Sequence, residues 1–82
     1  MAGQPTYIST NTTTTPVTGA GVLERIVLTE TAAGTITVKD GTTTVAVLKA
    51  SIVEGSYEFN MRFSTSLVIV TAAASKLTVI TS

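Results

Sequence analysis

The stretch Ser56 to Phe63, SYEFNMRF, alternates strictly between apolar and polar residues. Tyr57, Phe59, Met61 and Phe63 fall on one parity, and Glu58, Asn60 and Arg62 on the other. Side chains two apart in a strand share a face, whereas a helix would spread these residues around its circumference. The period therefore predicts a strand with one apolar and one polar face. The apolar face holds three of the chain's aromatics, which number two Tyr and two Phe in all, and should anchor the core.

The rest of the chain supports the same class. Thr, Val and Ile dominate, and β-branched side chains fit a pleated, half-buried surface. Thr35 to Lys39 alternates cleanly, with Ile36 and Val38 inward, and runs into the turn pair Asp40-Gly41. Thr44 to Ala50 is apolar on both parities: Val45 and Val47 on one, Ala46 and Leu48 on the other. Such a strand is covered on both sides or lies at a subunit contact. Leu67 to Thr71 is a nearly continuous apolar strand, and Lys76 to Thr81 closes the chain with Leu77 and Val79 on one face. Gly21 to Glu30 alternates imperfectly, and a regular strand would bury Glu24. A β-bulge near Leu23 to Arg25 would instead set Leu23, Ile26 and Leu28 on one side.

Toward the N-terminus, residues 1–5 read as a loose arm, and Tyr7 and Ile8 can start a strand. Thr12 to Thr15 is either a second short strand or an exposed extended stretch. Pro16 suggests an edge or a bend, and Gly19 and Gly21 mark a turn. No segment has helical periodicity worth defending. The expected fold is all-β: a single domain over residues 6–82, built as a small antiparallel sandwich or jelly-roll-like barrel of about six to eight short strands.

One phrase occurs twice. Thr31-Ala-Ala-Gly-Thr-Ile-Thr-Val is echoed by Thr71-Ala-Ala-Ala-Ser-Lys-Leu-Thr-Val, with one more residue before the apolar position. Each copy reads as strand, small-residue turn, strand, and so as a β-hairpin. A repeated scaffold is the simpler reading than a repeated site.

The chain offers little for chemistry. With 82 residues it makes one domain and buries a thin core, so oligomerisation would help it. It has no histidine and no cysteine, which removes the serine triad, thiolate metal sites and most zinc sites. Asp40 reads as a turn residue before Gly41. Glu54 and Glu58 are a conceivable carboxylate pair, but so short a chain cannot hold a large cleft. Glu24-Arg25 and Glu58 with Arg62 read as surface ion pairs or inter-subunit contacts. No enzyme activity, cofactor or metal is expected. Five basic and five acidic residues give a net charge of +0, with no basic run, so no nucleic-acid partner is expected. Residues 1–10 lack the pattern of a secretory leader, and Leu67 to Val70 is far too short to cross a membrane, so no membrane association is expected.

Four phrases in order carry a resemblance: Gly21 to Leu23; Ala33 to Val38 with Asp40-Gly41; Tyr57 to Thr65; and Leu67 to Ala74. Together they resemble small virion-associated proteins of tailed bacteriophages. The resemblance implies a β-structured piece of a phage particle: a capsid decoration or cement protein, a head-fibre base or a tail adaptor. It implies binding to a major capsid protein or another virion protein, self-association with a trimer favoured, and a place in the virion after synthesis in the host cytoplasm. It carries over no catalytic motif, and Thr12 to Thr15 match none of its phrases. The expected function is thus a structural virion protein on the head lattice; the alternative is a host- or carbohydrate-binding fibre or tail-adaptor module. Candidate contacts are Leu48, Val68 and Val70 on the second faces of their strands, with Thr12, Thr13, Thr14 and Thr15.

Overall fold

Strand pairing in this chain is nested. In the computed structural model, which describes residues 4–82, eight strands form. They are β1 (Gln4–Ile8), β2 (Thr13–Thr18), β3 (Gly21–Glu30), β4 (Ile36–Asp40), β5 (Thr43–Leu48), β6 (Gly55–Phe63), β7 (Ser66–Thr71) and β8 (Lys76–Thr81). First pairs with last, second with seventh, third with sixth and fourth with fifth, all antiparallel. Two further pairings, β3 with β8 and β4 with β7, gather these into two four-stranded sheets. Sheet A runs β1-β8-β3-β6 and sheet B runs β2-β7-β4-β5. A long hairpin rolled up on itself gives this order, which is the topology of a jelly roll. Gln4 and Pro5 already belong to β1, so that strand begins earlier than the expected arm allows. Residues 1–3 of the arm lie outside the described residues.

The core lies between the sheets. Sheet A contributes Ile8, Leu23, Ile26, Leu28, Phe63, Leu77 and Val79, and sheet B contributes Ile36, Val38, Leu48, Leu67 and Ile69. The β6 alternation holds: Tyr57, Phe59, Met61 and Phe63 turn toward this core and Glu58, Asn60 and Arg62 away. Yet β6 is the edge of its sheet, so only Phe63, at 1% exposure, is fully enclosed; the other three are half-buried.

The bulge on β3 also forms. Leu23, Ile26 and Leu28 are buried, while Glu24 is half-exposed and Arg25 exposed. The irregularity widens across the sheet. The same span takes two steps on β8 (Thr81 to Val79), three on β3 (Leu23 to Ile26) and four on β6 (Met61 to Tyr57). Asn60 takes up the extra residue on β6 with a φ of 48°, a left-handed conformation that Asn tolerates better than most residues. Successive bulges bend the sheet toward its β6 edge.

Two expectations are corrected. Leu48 does not face outward. It pairs directly with Ile36, and opposite residues of an antiparallel pair share a face, so Leu48 follows Ile36 into the core at 8% exposure. The outward side chains of β5 are Val45, which sits at a register slip, and Val47. The repeated Thr-Ala-Ala segments are not hairpins either. The first carries the chain from β3 in sheet A to β4 in sheet B, and the second from β7 in sheet B to β8 in sheet A. Both are sheet-to-sheet crossings, and they touch. Ala72 N–H donates to the Thr35 carbonyl at 3.0 Å, and a Cβ on Gly34 would lie 2.7 Å from the Cβ of Ala73. Each also contains a tight turn, Gly34 N–H to the Ala32 carbonyl in one and Ser75 N–H to the Ala73 carbonyl in the other. The echo is a shape used twice at one end of the sandwich.

Candidate interaction faces

The outer face of sheet B is nearly free of charge. Register places Thr13, Val70, Thr37 and Val47 in one row across its four strands. A neighbouring row runs through Val68, Lys39 and Thr44. Val47 is 56% exposed, and Val68 and Val70 are half-buried. Lys39 is the one charged side chain in these rows. Val68 and Val70 therefore do lie on an outward face, as their parity predicts, while Leu48 does not join them.

The four candidate threonines separate. Thr13 and Thr15 are exposed, and Thr13 stands opposite Val70 on the outer face. Thr14 pairs with buried Ile69 and turns inward. Thr12 is held by backbone bonds: its N–H donates to the Thr71 hydroxyl at 3.0 Å, and its carbonyl accepts from Thr71 N–H at 2.9 Å. The buried Thr71 hydroxyl also donates to the Thr10 carbonyl at 2.6 Å. Thr71 thereby ties the β1–β2 connection to the end of β7. A threonine next to the Ala-Ala pair gave no sign in the sequence of that role.

Asp40 does more than precede a turn glycine. Its carboxylate accepts from the Thr65 N–H at 2.9 Å, the Ser64 N–H at 3.0 Å and the Ser64 hydroxyl at 3.2 Å. Hydrogen bonds from the Ser64 and Thr65 N–H groups hold its carboxyl below the ordinary value of 3.8. The bonds join the β4–β5 turn, where Gly41 has a φ of 63°, to the β6–β7 turn. The partners lie 24–26 residues away in the chain, beyond the reach of local pattern reading.

Other sequence candidates are dispersed. The Glu54 carboxylate accepts from the Thr31 N–H at 3.1 Å, and Glu58 stands on the outer face of sheet A opposite Arg25. Neither Glu24 with Arg25 nor Glu58 with Arg62 forms an ion pair; among the described residues the pair within 4.0 Å is Lys76 with Glu30, at 3.4 Å. Ala20, Gly21, Val22 and Arg62 line a shallow depression of about 280 Å³ that holds no acid–base pair. Among the described residues no group of His, Cys, Asp and Glu could hold a metal ion, and no helix is long and apolar enough to cross a membrane. Tyr7, on the outer face of β1, is the most exposed aromatic at 60%. Comparison with protein-family models, with curated proteins and with solved structures returns no match.

Proposed function

We propose that this protein is a structural component of a tailed-phage particle, a decoration or cement protein that sits on the head lattice. The observation that carries this reading is the outer face of sheet B. Valines 45, 47, 68 and 70 and the threonines around them make a β-surface with little charge to desolvate, suited to permanent contact with another protein surface. The phrase-level resemblance supports the partner class, a major capsid or other virion protein. The jelly-roll order agrees, since capsid proteins use that topology, but fold analogy alone does not give function. Self-association is part of this reading, and the expected trimer is one form of it.

The test is co-sedimentation of the purified chain with heads of the phage that encodes it, prepared without the chain. Saturable binding at a fixed number of copies per lattice unit is expected, with loss of binding in a folded Val47→Glu, Val70→Glu variant. Failure of the wild-type chain to bind heads would sink the reading. Exposed Tyr7 favours the second reading, a host- or carbohydrate-binding module, because an exposed aromatic can stack on a sugar ring. Glycan-array binding that Tyr7→Ala abolishes would support that reading.

A further inference from the structure

Each sheet of the sandwich ends in two free edges, and a free edge can accept another strand unless something blocks it. On sheet A, the β1 edge carries Pro5, which has no N–H to donate. On sheet B, β2 carries Pro16 within a register slip. The other edge of sheet B, β5, has no proline either, but it is six residues long and is interrupted by a register slip at Val45. The β6 edge is longer. It has nine residues, no proline, and the half-buried Tyr57, Phe59 and Met61 on its inner side. An added strand would cover all three.

The sequence of β6 says which strand fits. Read forward from Tyr57 it is aromatic, acid, aromatic, Asn, apolar, base, aromatic. Turn a second copy antiparallel about a two-fold axis through Asn60, and the pattern meets its complement. Glu58 of each copy then opposes Arg62 of the other, Phe59 opposes Met61, and Tyr57 opposes Phe63. The in-chain neighbours strengthen the match. Glu58 already faces Arg25 across β3, whereas Arg62 faces Val22 and has no acid opposite it. Pairing two copies gives Arg62 that acid and sets Glu58 between two arginines. The left-handed Asn60 kinks the edge at its centre. An ordinary flat strand is turned away by such a kink, while a second copy brings its own kink to the same level.

The geometry points to the β6 edge of sheet A as a self-association surface. Two copies of this chain pair antiparallel through residues 57–63 into one continuous eight-stranded sheet, with Asn60 on the two-fold axis. The pairing puts a dimer in place of the trimer that the resemblance implies, and it can fail without the head-binding reading failing: it uses the edge of sheet A, while head binding uses the outer face of sheet B.

A charge-exchange experiment tests it. Sedimentation equilibrium of the wild-type chain should show a dimer that weakens as salt rises. Glu58→Arg alone and Arg62→Glu alone each place like charges opposite one another twice, and each should weaken self-association about tenfold or more. An equimolar mixture of the two variants should restore the dimer, because each supplies the charges the other lacks. Since the chain has no cysteine, Asn60→Cys gives an independent readout. It should form a disulfide-linked dimer under mild oxidation, while Thr44→Cys on β5 should not. A wild-type chain that stays monomeric, a threefold mass, or variants that assemble as tightly as wild type would overturn the pairing. So would a mixture that stays monomeric while both variants keep their circular-dichroism signal.

Discussion

The two sheets share one core but carry different surfaces. Sheet A bears Glu24, Arg25, Glu30, Glu58, Arg62 and Lys76 on its strands; sheet B bears only Lys39 and Asp40. Asp40 is engaged with the β6–β7 turn, which leaves Lys39 as the charge on the sheet B face. Charged side chains opposite one another set register and choose partners, while an uncharged β-face gives adhesion with little direction. Under the two proposals the difference is a division of work: sheet A's edge would select a second copy, and sheet B's face would adhere to a larger surface.

Neighbouring positions on β5 offer the sharpest way to break that comparison. Leu48→Asp places a carboxylate in the core and should unfold the domain, read as loss of the cooperative thermal transition. Val47→Asp, one residue away on the exposed face, should change stability by less than about 0.5 kcal/mol while abolishing head binding. If the two variants behaved alike, the assignment of inner and outer faces on β5 would be wrong.

The end of the sandwich where the sheets exchange strands is the next target. Thr71→Val keeps the shape but leaves the Thr12 N–H without its hydroxyl acceptor, and should cost about 1–3 kcal/mol in urea denaturation. Gly34→Ala pushes a methyl into Ala73 and should cost a similar amount, about 1–3 kcal/mol, through overpacking. A Gly34→Ala variant as stable as wild type would mean that the two Thr-Ala-Ala crossings do not pack as closely as described.

The smallest effect expected is a pH dependence. Folding lowers the Asp40 carboxyl below 3.8, so its folded state favours the ionised form. Its contribution to stability is therefore complete above 3.8 and is lost as the pH falls below that value toward the folded one. Asp40→Asn should flatten the acid limb of the stability curve in that window. An acid limb identical to wild type would remove Asp40 from the account.

How much of this was legible in the sequence depended on the range of the interaction that decided it. The β6 strand was readable because its period is local and strict. The β3 bulge was readable too, since one extra residue was the way to bury Leu23, Ile26 and Leu28 without Glu24. The facing of Leu48 is not legible in the sequence because β5 is apolar on both parities, and only its pairing with Ile36 decides which parity faces in. The echoed segments looked like hairpins because each joins two strands through small residues. Their strands enter opposite sheets, which is a property of the whole topology. The Asp40 and Thr71 bonds join residues distant in sequence, and no local pattern marks them.

The nested order has a practical consequence. Because β1 pairs with β8, Gln4 stands directly opposite Thr81. Peptides fused before the first strand and after the last would leave the domain side by side, from one rim. A short bridge could join the two and allow the chain to be reopened at the Gly19–Ala20 turn, giving a circular permutant with the same eight strands. That geometry would let one small domain hold two cargoes at a single outlet.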